Sequence, residues 1–121
     1  MNDIPRDDRP NHLSVQPEMV DGVLVVTVEG EIDHDVKDVL SQALLFDDSA
    51  PPSRIVADLS GVTFMDSSGV NVFVTAHRRV SGAHGWLRIA GAQESVVRLL
   101  HLVGIDEVIP CLATVEEALR A

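Results

Sequence analysis

Residues 54–73 read RIVADLSGVTFMDSSGVNVF, and the changes of pattern inside this stretch decide the fold class. Arg54-Ile55-Val56-Ala57-Asp58-Leu59 is a short apolar run rich in β-formers, the pattern of a strand covered on both faces. Ser60-Gly61 is expected to break it. Val62-Thr63-Phe64-Met65 leads into Asp66-Ser67-Ser68-Gly69, after which Val70, Phe73, Val74 and Val80 supply the inward positions of a helix. His77, Arg78 and Arg79 fall in its last turns, where cations suit the dipole.

The flanks repeat this alternation. Upstream, Leu13, Val15 and Met19-Val20 approach Asp21-Gly22, and residues 23–28 (VLVVTV) leave it, a strong hairpin signal, with Gly30 expected to end the second strand. Asp33 is a candidate N-cap for a helix reaching about Leu45, carried by Val36, Val39, Leu40, Ala43 and Leu44. Residues 47–53, with Pro51-Pro52, read as a loop, and residues 1–12 as a flexible tail ahead of one domain spanning 13–121. Downstream, Ser81-Gly82 and His84-Gly85 turn the chain into a strand at 86–90. A helix at 93–102 closes on Gly104, residues 107–110 are a short strand candidate, and Thr114 with Glu117 has capping-box spacing. The order ββαβαβαβα implies an α/β domain. Its mixed sheet has about four to five strands, opened by the N-terminal hairpin, with about four helices packed against it and right-handed crossovers between parallel members.

Composition narrows the function. The 121 residues suit a single core, and 45% hydrophobic content suits a globular chain. Aromatics make up 3%, and the formal charge is −10 from 19 acidic and nine basic residues. Nucleic-acid binding needs clustered cations or stacking aromatics, so no nucleic-acid partner is expected. The charge suits a partner with a basic surface, and it suits solubility alone equally well. Cys111 is the only cysteine, which excludes an internal disulfide and points to a reducing cytoplasm. The start, MNDIPRDDRPNHL, lacks the apolar centre of a signal peptide, and no apolar run is long enough for a membrane.

Several chemistries have no matching motif. There is no phosphate loop of the G-x-x-x-x-G-K-S/T kind and no G-x-S-x-G elbow, since Met65 and Gly69 flank Ser67 at two residues' distance. None of His12, His34, His77, His84 and His101 pairs at zinc-helix spacing, and the carboxylates beside His34 read as capping and solvation. No metal, cofactor or catalytic residue is expected, and an enzyme using Ser67 as nucleophile lacks a positioned base.

Asp66-Ser67-Ser68-Gly69 carries what remains. Aspartate or serine before an apolar-periodic helix is the ordinary cap, so the tetrapeptide by itself fits a purely structural role. The free N–H groups and positive dipole end of a helix start also stabilise a phosphate. A phosphoryl group on Ser67 or Ser68 would add nearly two negative charges and three acceptor oxygens without disrupting the fold. The second candidate element is residues 29–35, EGEIDHD. If both helices start at the same sheet edge, Asp33 neighbours Ser67, and the seven acidic residues between Glu29 and Asp48 face only Lys37.

Gly30-Glu31-Ile32-Asp33 after a hairpin, and residues 58–70 (DLSGVTFMDSSGV) after the third strand, closely resemble the STAS domain of bacterial anti-sigma factor antagonists. The likeness runs from about Leu13 to the C-terminus. It implies a partner: an anti-sigma factor that is also a GHKL-type serine/threonine kinase. Binding that partner frees the sigma factor, phosphorylation ends the binding, and a PP2C-type phosphatase restores it. By the motif, Ser67 is the acceptor, and Asp66, Ser68 and Gly69 shape its turn. Asp33 is the carboxylate beside the acceptor. His34 and Asn71 complete the expected partner-binding set. Asn71 departs from the family, which usually has glycine there. The alternative is a STAS-like scaffold or regulatory subunit of another assembly, stressosome-like or transporter-associated, in which Ser67 is only a cap.

Overall fold

A computed structural model describes residues 13–45 and 54–121, so the tail expected at 1–12 and the loop expected at 47–53 lie outside the described residues. Among the described residues one sheet holds β1 (Leu13–Val20), β2 (Val23–Ile32), β3 (Arg54–Met65), β4 (Trp86–Ala90) and β5 (Cys111–Leu112), in that spatial order. β1 is antiparallel to β2, and β2 to β5 run parallel. The helices are α1 (Lys37–Leu45), α2 (Ser67–Gly82), α3 (Glu94–Leu102) and α4 (Val115–Arg120), and a 3-10 turn at His34–Val36 precedes α1.

Strands that neighbour in sequence also neighbour in space, so right-handed crossovers set α1, α2 and α3 on one face. There Leu40, Leu44, Phe73, Ala76, Val96 and Leu100 bury against Leu24, Val26, Ile55, Ala57, Leu87 and Ile89. The other face packs Val23, Val25, Val56 and Ala90 on Ala118 of α4. β3 is therefore covered on both sides, as its apolar run implies. The hairpin closes with Asp21 and Gly22 both at positive φ and Val20 opposite Val23, the two-residue geometry that Asp-Gly favours.

Four expectations are corrected. β2 does not end at Gly30 but runs to Ile32, and β3 does not break at Ser60-Gly61 but runs to Met65. The pair absorbs these residues as register shifts between Thr27 and Glu29 and between Gly30 and Glu31, bulges that bend a ladder without ending it. The strand expected at 107–110 is instead a 3-10 turn at Ile105–Glu107, and β5 follows at Cys111–Leu112. Ile105 and Ile109 are both buried and the Ile109 N–H donates to the Ile105 carbonyl at 2.8 Å, so their spacing anchors a turn. Val39, read as part of the apolar stripe of α1, is exposed. The capping box at α4 forms in altered shape: the Glu117 N–H donates to Thr114 Oγ1 at 3.1 Å, while the Glu117 carboxylate accepts from Ala113 N.

Candidate functional site

The parallel ladder between β2 and β3 ends with Ile32 opposite Met65, and one bond continues past it, from Asp66 N–H to the Ile32 carbonyl at 3.1 Å. Asp33 and Asp66 therefore leave the sheet side by side, which places the two expected elements together. Both residues have extended backbone and both act as caps. Asp33 Oδ1 accepts from Asp35 N at 3.0 Å, and Asp66 Oδ1 accepts from Ser68 N at 2.8 Å. The Asp66 carbonyl also accepts from Gly69 N at 3.1 Å and Val70 N at 3.3 Å, the first bonds of α2.

Capping thus falls to Asp66, and Ser67 is the first residue inside α2. Ser67 is exposed, while Ser68 is half-buried. Gly69 explains how the turn sits so close to the sheet. A Cβ built there would stand 2.7 Å from Ile32 Cγ2 and from Met65 Cγ and Sδ, inside any normal contact. The glycine is needed for proximity, and its neighbours from both strand ends are the ones that seat the helix start.

Beside this corner an open groove of about 370 Å³ runs between α1 and α2. One wall is His34, Lys37, Asp38 and Ser41; the other is Ser68, Asn71, Val72 and Thr75. Each wall is a stripe at i, i+3, i+4, i+7, so two adjacent helices turn one face each toward the same channel. His34, Ser68 and Asn71 were among the expected site residues. Lys37, Asp38, Ser41, Val72 and Thr75 were not, although the same periodicity was available on the polar side of each helix. Lys37 Nζ sits 3.3 Å from Asp38 Oδ1 in an exposed pair. Glu29, Glu31, Asp33 and Asp35 lie on the chain that leads into the first wall and Asp38 on that wall, while Asp47 and Asp48, also expected at this edge, lie outside the described residues.

The described residues contain no group of three or more His, Cys, Asp or Glu placed to hold a metal, and none of their helices is long and apolar enough to cross a membrane. Away from the site, burial and then Asp106 push the Cys111 thiol up, away from the thiolate form.

The fold and corner define a small α/β module whose distinctive surface is a pair of capped strand-to-helix junctions beside a two-helix groove. The model of the STAS domain family matches residues 14–118, and the chain belongs to that family. It is 30% identical over 103 residues to the anti-sigma F factor antagonist of Paenibacillus polymyxa, covering 82% of this chain and 86% of that protein. An anti-sigma factor antagonist structure from Mycobacterium paratuberculosis superposes with a TM-score of 0.84 at 30% identity, covering 93% of this chain and 95% of the other. The anti-sigma factor antagonist SpoIIAA in its unphosphorylated form gives a TM-score of 0.70 at 25% identity, with 88% and 93% covered.

Proposed function

We propose that this chain is an anti-sigma factor antagonist that acts in the cytoplasm by binding, not by catalysis. Its unphosphorylated form captures an anti-sigma factor with GHKL-type serine kinase activity and so releases a sigma factor. Phosphorylation of Ser67 ends the capture, and a PP2C-type phosphatase reverses it. One observation carries this reading: Ser67 is exposed at the first position of α2 while Asp66 does the capping, so the hydroxyl has no structural task to give up.

The chemistry follows from the placement. Ser67 Oγ attacks the γ-phosphorus of ATP, its proton leaves to a base on the kinase, and the bond to the β-phosphate oxygen breaks to give ADP. The N–H groups at the start of α2 favour the charge that arrives. In-line transfer requires the nucleotide to face Ser67, so the product phosphoserine faces ADP across the interface. Two anions at contact range repel, and the complex separates. The acidic approach formed by Glu29, Glu31, Asp33 and Asp35 suits a basic rim on the partner. Asp33, His34, Asp66, Ser68 and Asn71 form the rest of the contact surface, while the buried Gly69 seats the turn that presents them.

The test is incubation with the cognate kinase and ATP, followed by intact mass. One phosphate should be added, and Ser67→Ala should abolish it. Undiminished labelling of the Ser67→Ala protein rejects the assignment.

A further inference from the structure

We propose that the phosphoryl group on Ser67 is held across the α1–α2 groove, by the Lys37 ammonium from one wall and the Asn71 side-chain amide from the other. The inference rests on Ser67 being the acceptor and adds what the modified form does. Ser67 stands next to the groove and not among its lining residues, so the phosphate reaches in past Asn71 and occupies one end of it.

The residues are arranged for this. Ser67 and Asn71 stand four apart on α2, so their side chains are neighbours on one helix face. Asn71 is exposed and lines the groove, and its amide supplies two donors. Lys37 lines the facing wall and is the only Lys or Arg among the lining residues. It pairs with Asp38 through a contact in which the side chains are 37% and 85% exposed. Such an exposed pair is weak, so a phosphate with nearly two charges and three acceptors displaces it readily. The carboxylates of Asp33, Asp35 and Asp66 flank the corner outside the groove and oppose an anion there. On the groove wall Lys37 is the cation and Asp38 the carboxylate paired with it, so the phosphate meets the lysine by taking that carboxylate's place.

The consequence is specific to a chain with asparagine at position 71. A glycine there supplies no amide, and the phosphate would keep only the helix N-terminus and the lysine.

The test places phosphoserine at position 67 by genetic encoding, which needs no kinase, and follows its second ionisation by phosphorus NMR titration. The unconstrained value is about 6. Lys37→Gln should raise it by about half a unit or more relative to the unsubstituted phosphoprotein, and Asn71→Ala by a smaller amount, because each removes a partner of the dianion. Arg98→Gln on α3 controls for net charge and should leave it unchanged. The proposal is overturned if Lys37→Gln and Asn71→Ala leave the titration where it was, or if Arg98→Gln shifts it as far as Lys37→Gln does. Because the phosphoserine is incorporated during translation and no kinase is involved, that failure leaves the acceptor role standing. Absence of kinase labelling at Ser67 is a separate result and removes the acceptor role instead.

Discussion

Two strand-to-helix junctions stand side by side at one edge of the sheet, built on the same aspartate cap, and they diverge at the next residue. After Asp33 come His34, Asp35 and Val36; after Asp66 come Ser67, Ser68 and Gly69. The third position separates them structurally. Val36 fills its space with a buried side chain, and the chain opens as a 3-10 turn before α1. Gly69 leaves that space to Ile32 and Met65, and α2 starts at once as a regular helix. The first position separates them chemically, since only the second junction presents a hydroxyl. The cap aspartate, common to both, therefore says where a helix begins and nothing about what the corner does.

Substitutions can break this contrast. Gly69→Ala should have the largest effect, a loss of about 2 kcal/mol in denaturant unfolding, because its methyl overlaps Ile32 Cγ2, a branch atom that cannot swing aside. If the loss is negligible, the close seating of α2 is not what the glycine provides. Ser67→Glu should weaken binding of the anti-sigma factor more than tenfold, about 1.4 kcal/mol or above, by calorimetry. Unchanged affinity would show that charge at this corner is not the switch. The two caps sharpen the contrast further. Asp66→Ala should cost about 1.5 kcal/mol and Asp33→Ala about 0.5 kcal/mol in thermal melts. The Ser68 N–H that Asp66 satisfies is part-buried, whereas the Asp35 N–H is exposed to water. Ser67→Ala should have the smallest effect, less than about 0.5 kcal/mol, since the residue does not cap. A larger loss would mean that the hydroxyl is structural after all.

Much of this architecture was legible in the chain. The Asp-Gly hairpin, the β-rich run at 54–59 and the apolar spacing beyond Ser67 all carry local physics that survives folding. What escaped depends on partners distant in sequence. Gly30 and Ser60-Gly61 are local breakers, yet each strand supports the other through the irregularity, so both continue. Residues 107–110 read as a strand because Val108 and Ile109 are adjacent β-formers, whereas the buried spacing that matters is Ile105 to Ile109. At the site, Asp33 and Ser67 were each visible, and their adjacency hung on a condition about sheet edges that the Ile32–Met65 pairing meets. The groove was the least visible part. Lys37, Ser41 and Thr75 look like solvated helix surface until α1 and α2 lie next to each other.

That pairing of Ile32 with Met65 joins residues thirty-three positions apart, and both walls of the corner depend on it. A linear peptide holding Ser67 and its immediate neighbours lacks the second aspartate, the opposite wall and the seated helix start. Under the proposed function, an enzyme that reads the whole corner recognises only chains that have finished folding. On that reading, a newly made copy becomes eligible for regulation only once its sheet has closed.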